Sequence, residues 1–215
     1  MSQNVNPPGN PVGIDVSKYQ GNVNWTNVAA AGVSFAFARV SDGANSKDAF
    51  FAQNWAGMKN AGIIRGAYQF FRANQDPVAQ ANLMVAAVGQ LGPGDLAPVI
   101  DIETGNGVNA GGIVAAVSKW QQVVESALGR QIIVYTARGF WQGNVGNSTQ
   151  FADRPLWVAN YTNAPAPSIP SAWSVWTFWQ YTQNGTVNGI NGQVDRNRFN
   201  GPLNRLRALA GYPPG

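Results

Sequence analysis

A buried strand that ends in two carboxylates is indicated by the stretch Leu96-Ala97-Pro98-Val99-Ile100-Asp101-Ile102-Glu103. Side chains two residues apart on a strand point the same way, which places the Cα atoms of Asp101 and Glu103 roughly 6–7 Å apart. At that separation one carboxyl group tends to stay protonated beside its ionised neighbour. An acid and a base held side by side on a rigid element is the arrangement that glycoside hydrolysis requires.

Acidic residues are few in this chain, which makes the pair informative. The 215 residues include 10 acidic and 14 basic side chains, and Glu103 and Glu125 are the two glutamates. Asn and Gln together number 38, so the surface is polar without being highly charged. Such a surface suits hydrogen bonding to neutral, hydroxyl-rich polymers.

Composition also excludes several classes of function. The chain has no His and no Cys, which excludes Ser-His-Asp and Cys-His nucleophiles, zinc sites of the usual ligand types and a disulfide framework. Catalysis must then depend on carboxylates, Tyr, Lys or Arg, and we expect no metal and no cofactor. The net charge is +4, and the basic residues are dispersed except for Arg196, Arg198, Arg205 and Arg207. Without a nucleic-acid motif or a segment of transmembrane length, we expect neither a nucleic-acid partner nor a membrane.

Strand-like and helix-like segments alternate along most of the chain, which is typical of parallel βα units. The predicted strands are 12–16, 33–40, 63–70, 96–103, 131–136, 156–161, 174–181 and 193–199. The predicted helices are 24–32, 48–61, 76–92, 113–129 and 139–143, with a short closing helix at 203–209. This order predicts a single-domain α/β fold, a TIM-like (β/α)5(β)3 barrel whose last three strands have lost most of their crossover helices.

The two ends of the chain differ from its body. Residues 1–11 are polar and rich in Pro and Asn, so we predict a flexible N-terminal segment without the features of a signal peptide. The predicted barrel covers residues 12–210, and residues 211–215 are predicted to be a loose C-terminus. Asn-Gly pairs between the last two strands, beginning at Asn184-Gly185, predict hairpin turns.

Polar side chains gather at the predicted strand ends, where the active sites of barrel enzymes lie. Asp15 ends the first strand, Asp101 and Glu103 end the fourth, and Asp195 lies early in the eighth. The other candidate site residues at strand ends are Tyr68, Gln69, Tyr135, Asn160, Tyr161 and Gln180. We therefore predict that four of the ten acidic residues converge on one mouth of the barrel. The alternative is that N-caps and turns recruit these aspartates.

Six short motifs follow one another between about residue 12 and residue 200. They are Gly13-Ile14-Asp15-Val16-Ser17 with Gln20-Gly21, Gly66-Ala67-Tyr68, Asp101-Ile102-Glu103, Leu156-Trp157-Val158-Ala159, Trp179-Gln180-Tyr181-Thr182 and Val194-Asp195. Each motif alone is weak, but the ordered set resembles the signatures of glycoside hydrolase family 25, the muramidases (lysozymes) of the Chalaropsis type. The resemblance implies that residues 12–210 are a catalytic barrel of that family.

The resemblance also implies a role for each carboxylate. Glu103 would be the general acid that protonates the glycosidic oxygen, and Asp101 would stabilise charge at the reacting sugar, directly or by orienting its acetamido group. Asp15 and Asp195 would tune Glu103 and bind substrate, because nearby negative charges keep a carboxyl group protonated for acid catalysis. The family often has His after its Gly-Ala-Tyr motif, where this chain has Gln69, so this secondary substrate contact differs here.

The implied activity is cleavage of the β-1,4 bond between N-acetylmuramic acid and N-acetylglucosamine in peptidoglycan glycan strands. Two alternatives are a chitinase-like hydrolase acting on another N-acetylhexosamine polymer and a non-catalytic glycan-binding barrel. We expect a monomer that acts at the bacterial cell wall. It would be extracellular or delivered there without a visible signal peptide, as a phage endolysin or an injected effector is. A carboxylate spacing of roughly 6–7 Å lies between the retaining and inverting ranges, so the stereochemistry stays open.

Overall fold

Nine strands are present in the computed structural model, which describes residues 9–213 of the chain. The strands are β1 (Val12–Val16), β2 (Phe35–Asp42), β3 (Ser46–Lys47), β4 (Ile64–Phe70), β5 (Val99–Asp101), β6 (Ile133–Ala137), β7 (Leu156–Ala159), β8 (Phe178–Gly185) and β9 (Val194–Phe199). The helices are α1 (Trp25–Ala30), α2 (Phe51–Asn60), α3 (Pro77–Val88), α4 (Ala110–Leu128), α5 (Arg138–Asn144) and α6 (Leu203–Leu209), with a 3₁₀ turn at Lys18–Gln20.

Eight of these strands close into a barrel in the order β1-β9-β8-β7-β6-β5-β4-β2, and β2 pairs with β1 to complete it. All neighbouring strands are parallel except β9, which runs antiparallel to both β8 and β1. Helices α1 to α5 precede β7 in the chain, and no helix lies between β7 and β9. The predicted (β/α)5(β)3 barrel is therefore confirmed, and the two-residue strand β3 adds a small hairpin to β2.

The helix starts follow the predicted capping chemistry. Asn24 accepts a hydrogen bond from the backbone N–H of Asn27 and caps α1. Asp76 caps α3 in the same way through Val78, and Pro77 occupies the first helical position, where no backbone N–H is needed. Helix α4 ends at Leu128, and the following Gly129 has a left-handed φ of 66°, which suits glycine.

Several predicted boundaries are wrong by a few residues, each for a local reason. Helix α2 begins at Phe51 because the Asp48 side chain accepts the Phe50 N–H in a turn that precedes the helix. Helix α3 ends at Val88 because Gly89, rather than Gly92, turns the chain. Strand β8 extends through the predicted turn at Asn184-Gly185, since β-bulges keep Gly185 paired with Val194.

The barrel interior is filled by aromatic rings below the carboxyl ends of the strands. The Phe37 ring stacks on Trp157 with centroids 4.3 Å apart, and it meets Phe178 edge-on at 5.2 Å. A side chain at Gly66 would collide with the Phe37 ring, which explains the glycine of the Gly-Ala-Tyr motif. These packed rings form a rigid layer beneath the mouth of the barrel, where a pocket can be held in a fixed shape.

The chain ends are only partly within the described residues. Residues 1–8 and 214–215 lie outside them, so the flexible N-terminal segment and the loose C-terminus stay predictions. At the N-terminal side, the Pro11 carbonyl accepts a hydrogen bond from Phe199. At the C-terminal side, the Tyr212 N–H donates to the Arg207 carbonyl. Between residues 9 and 213, no helix combines the length and apolar character needed to cross a membrane.

Candidate active site

A pocket of about 430 Å³ opens at the carboxyl ends of the parallel strands. Five carboxylates line it, one more than the sequence predicts: Asp15, Asp42, Asp101, Glu103 and Asp195. The aromatic residues Tyr68, Tyr135, Trp157 and Tyr161 line the same pocket, as does Gln180. The four predicted carboxylates therefore do share one site, and the alternative of separate caps and turns does not apply to them.

The antiparallel direction of β9 brings Asp195 to this mouth. Asp195 lies at the start of β9, and a strand that runs against its neighbours begins where they end. In the β1–β9 ladder Asp195 is paired directly with Asp15. Strand β5 ends at Asp101, earlier than predicted, so Glu103 extends beyond the sheet towards the rim of the pocket.

Asp15 is held at the base of the pocket by amide donors. Its Oδ2 atom accepts a hydrogen bond of 2.7 Å from Asn197 and one of 3.0 Å from Gln180. The Trp157 indole N–H donates to Asn197 Oδ1 at 2.8 Å, which fixes the orientation of that amide. Burial raises the pKa of Asp15, and hydrogen bonds from Gln180, Asn197 and Asp195 oppose the rise.

Gln180 connects this base to the aromatic wall of the pocket. Its Oε1 atom accepts from the hydroxyl groups of Tyr135 at 2.9 Å and Tyr161 at 2.8 Å. Because both tyrosines donate to the oxygen, the amide nitrogen must face Asp15. The three predicted contacts Tyr135, Tyr161 and Gln180 thus form one hydrogen-bonded unit whose end is the Asp15 carboxylate.

Asp101 is buried and incompletely bonded. Its Oδ1 atom has no hydrogen-bond partner within residues 9–213, although buried polar atoms nearly always have one. Burial, Glu103 and Asp15 together raise the pKa of Asp101 well above its usual value, against the opposing charge of Arg39. Asp101 lines the pocket, so a donor on a bound molecule could complete the bonding of its carboxyl group.

Glu103 stands at the rim, where its side chain is exposed. The surrounding protein still removes enough water to raise the pKa of Glu103, with a further contribution from Asp15 and an opposing one from Arg72. The pKa values of Glu103 and Asp101 are raised for the same reason, because acids that share a poorly hydrated pocket resist simultaneous ionisation.

Asp15 and Asp195 behave as a second coupled pair. Burial, the Asp15 charge and a hydrogen bond to Asp15 raise the pKa of Asp195 to about 8. At neutral pH the Asp195 carboxyl group therefore keeps its proton and donates it to Asp15. In both pairs, the negative charge of one carboxylate raises the pKa of the other.

Two arginines face these acids but are already occupied. Arg39 contacts Asp48 at 3.1 Å, and Arg72 forms a bidentate pair with Asp42 at 2.5 and 2.8 Å. Sequence reasoning missed Asp42 because the second strand was predicted to end at residue 40, whereas β2 continues to Asp42. Asn197 was also missed, although its spacing of two residues from Asp195 indicates the same face of β9.

Two predicted substrate contacts are corrected by the structure. Gln69 is fully buried and lies behind the sheet, where it donates to Ser41 at 2.8 Å and accepts from Trp120 at 2.6 Å. The alternation of a strand explains this, because Tyr68 faces the pocket and its neighbour must face the helices. Asn160 lies outside the pocket and accepts from the Ser168 N–H, which fixes the loop after β7.

The motifs of this pocket correspond to a known family. The sequence profile of the glycosyl hydrolases family 25 matches residues 14–190, which include Asp15, Asp101 and Glu103. The chain belongs to glycosyl hydrolase family 25. As a family 25 protein it is a glycosidase, and the prediction made from the ordered motifs is confirmed.

Similar proteins and structures agree with the assignment to family 25. Lysozyme M1 of Streptomyces globisporus is 38% identical over 208 residues, which cover 92% of this chain and 70% of that protein. N,O-diacetylmuramidase of Chalaropsis sp is 31% identical over 200 residues, covering 85% of this chain and 95% of that protein. The bacterial lysozyme of Streptomyces coelicolor superimposes with a TM-score of 0.90 at 37% identity, covering 94% of this chain and 98% of that one.

Proposed function

We propose that this family 25 glycosidase is an N-acetylmuramidase that hydrolyses the β-1,4 bond between N-acetylmuramic acid and N-acetylglucosamine in peptidoglycan. The observation that carries the proposal is the pairing of Glu103, exposed at the rim with a raised pKa, with Asp101, buried below it with an unpartnered oxygen. The similarity to lysozymes and muramidases supports the substrate. No observation favours chitin or a non-catalytic barrel.

Glu103 acts as the general acid in this proposal. Its exposed carboxyl group can reach a glycosidic oxygen that lies across the mouth of the pocket, and its raised pKa keeps the proton available. Proton transfer to that oxygen releases the N-acetylglucosamine side as an alcohol. Water then supplies the hydroxyl group at the anomeric carbon of N-acetylmuramic acid.

Asp101 orients the sugar that reacts. An acetamido N–H is a donor of the kind that the unpartnered Asp101 Oδ1 lacks. Such a hydrogen bond favours the ionised form of Asp101 and so opposes the burial that raises its pKa. An ionised Asp101 in turn opposes ionisation of Glu103. Substrate binding therefore favours the protonated form of Glu103, the group that must donate its proton.

Asp15 and Asp195 form the base of the pocket and bind substrate hydroxyl groups. Because the pKa of Asp195 is raised to about 8, this carboxyl group stays largely protonated at neutral pH, and the charge that raises the pKa of Glu103 comes from Asp15. Tyr68, Tyr135, Tyr161 and Gln180 complete the proposed substrate contacts. The fixed amide of Gln180 keeps Asp15 in position.

We further propose that the protein acts at the bacterial cell wall as a monomer. Support for the monomer comes from the pocket itself, since one chain supplies all five carboxylates. Route of delivery, by secretion or with a phage or an injection apparatus, does not alter this chemistry. Light scattering during gel filtration tests the oligomeric state, and a dimer would contradict the proposal.

Mass spectrometry of the products of defined peptidoglycan tests the activity. We expect fragments with N-acetylmuramic acid at the reducing end, because the bond broken is the one at its anomeric carbon. Reducing N-acetylglucosamine would contradict the proposed bond. Release of soluble sugar from chitin but not from peptidoglycan would support the chitinase-like alternative, and binding of strands without any new reducing end would support a non-catalytic barrel.

A further inference from the structure

A second groove, of about 540 Å³, adjoins the catalytic pocket on the outer side of β8 and β9. Tyr161, whose ring is half-exposed, lines both cavities, so the two lie side by side. Beyond Tyr161 the groove is lined by Trp179, Tyr181 and Arg198, with the loop from Thr162 to Pro165 opposite. No part of the proposed acid–base chemistry uses this groove.

Arg198 is held in the groove by aromatic rings rather than by acids. Its guanidinium carbon lies 4.5 Å from the centroid of Tyr181 and 5.2 Å from that of Trp179. Trp179 is itself fixed, since its indole N–H donates to the Asn160 carbonyl at 2.7 Å. Within residues 9–213 the Arg198 side chain makes no hydrogen bond and has no carboxylate oxygen within 4.0 Å.

A comparison with Arg65 shows what Arg198 lacks. The Arg65 guanidinium also stacks on a tryptophan, 3.8 Å from the Trp55 centroid, but its edge is filled by Asp95 at 2.5 and 3.3 Å. A stacked guanidinium keeps its five N–H donors in a planar fork that matches a carboxylate. In Arg198 this fork lies beside two aromatic rings and has no hydrogen-bond partner among residues 9–213.

We propose that the groove around Arg198 binds a carboxylate of the peptide carried by N-acetylmuramic acid. This inference rests on the proposed function and identifies which part of the substrate lies outside the pocket. The glycan sugars are neutral apart from that substituent, whereas the wall peptide bears free carboxylates. A sugar bound beside Tyr161 directs its substituent into the adjoining groove, where stacking and a bidentate pair can hold it.

Two forms of one glycan strand test the inference. One bears its peptides, and from the other an amidase has removed them, which leaves on each N-acetylmuramic acid only the short lactyl carboxylate. The parent and the variant Arg198→Met are compared by kcat/KM on both strands. Methionine retains an apolar stem over the rings but lacks the donors. We expect the variant to lose about tenfold in kcat/KM on peptide-bearing strands, mainly through KM, and to match the parent on stripped strands.

Two further variants make the test specific. Arg198→Lys keeps the charge without the planar fork, so it should recover only part of the lost kcat/KM. Arg207→Met is the matched control, because Arg207 is also stacked on a ring, 5.9 Å from Tyr212, but lies on α6 away from the groove. We expect that variant to cleave both strands as the parent does.

The outcomes separate this inference from the proposed function. If Arg198→Met cleaves both strands as the parent does, or loses equally on both, the inference is overturned and the muramidase activity stands. If the parent cleaves neither strand, the proposed function fails and the inference fails with it. An effect seen only on walls that carry teichoic acid would identify a phosphodiester as the ligand and contradict the carboxylate.

Discussion

The chain has two glutamates, Glu103 and Glu125. They lie in regions that shift the pKa of a carboxyl group in opposite directions. Glu125, on α4, accepts hydrogen bonds from Arg154 at 2.7 and 3.0 Å and from the Ile132 N–H at 2.9 Å. Burial alone would raise the pKa of Glu125, but these donors lower it. Glu103 makes no hydrogen bond within residues 9–213, and its pKa is raised.

The difference extends to the regions around the two residues. Behind the sheet and below the barrel, acids have cationic partners, as in the Asp95–Arg65 and Glu125–Arg154 pairs. At the mouth, Asp15, Asp101 and Glu103 form no ion pair with any arginine between residues 9 and 213, and their pKa values rise. Acids that a fold leaves without counter-charges in a cleft are candidates for catalysis. The comparison thus separates acids that stabilise the fold from acids that perform chemistry.

The substitution Glu103→Gln should have the largest effect on activity. Glutamine preserves volume but cannot deliver a proton, and general acid catalysis is typically worth about 10²–10⁴ in rate, or roughly 3–5 kcal/mol of barrier. Removing a carboxyl group from a crowd of like charges should leave the melting temperature unchanged or raise it. Rates of wall lysis and thermal melting curves, measured on the same samples, check both expectations.

Glu125→Gln is the matched control for that variant, since it makes the same chemical change in the other region. It weakens the contacts with Arg154 and Ile132, which are partly exposed and contribute about 1 kcal/mol. We expect normal lysis and a melting temperature lower by about 2–4 °C. Loss of lysis in Glu125→Gln with normal lysis in Glu103→Gln would reverse the assignment of the two regions.

A smaller loss of activity is expected for Asp101→Asn. The amide retains the shape of the side chain but removes the charge that faces the reacting sugar, which should lower kcat by about 10²-fold. Substrate binding should persist, because the rest of the pocket is unchanged. Steady-state kinetics with KM reported separately is the measurement, and near-normal kcat would mean that Asp101 only shapes the site.

Asp195→Asn should change the pH dependence of stability more than activity. The folded-state pKa of Asp195, about 8, lies above its ordinary value of 3.8. Its stabilising contribution is therefore complete below about 3.8 and is lost as pH rises towards 8. The melting temperature of the variant should exceed that of the parent at pH 8 and approach it at pH 3. A parallel pair of curves across this range would show that Asp195 ionises normally.

Much of the fold follows from local sequence signals. Alternating apolar segments, the caps at Asn24 and Asp76, and Gly129 predict the elements and their order. The element boundaries were less predictable because they depend on partners distant in the sequence. The pairing of Gly185 with Val194 continues β8 through a segment that looks like a turn.

The candidate site was predictable where a side chain follows directly from a strand end. Asp15, Asp101, Glu103 and Asp195 meet this condition, and all four line the pocket. Gln69 does not line the pocket, because adjacent residues on a strand face opposite sides of the sheet and Tyr68 faces the pocket. Arg72 could not be identified from sequence as the cationic partner of Asp42, because Asp42 ends β2 whereas Arg72 follows β4, and the two residues are distant in the sequence.

The central claim is that the mouth raises the pKa of Glu103 while α4 lowers that of Glu125. Glutamate labelled with ¹³C at the side-chain carboxyl group gives two resonances, because the chain contains two glutamates. Their chemical shifts, followed against pH in the parent and assigned with Glu103→Gln, measure the two pKa values directly. We expect the Glu103 signal to titrate above 4.5, the ordinary pKa of glutamate, and the Glu125 signal below it. If both titrate below 4.5, or if the higher pKa belongs to Glu125, the account is contradicted.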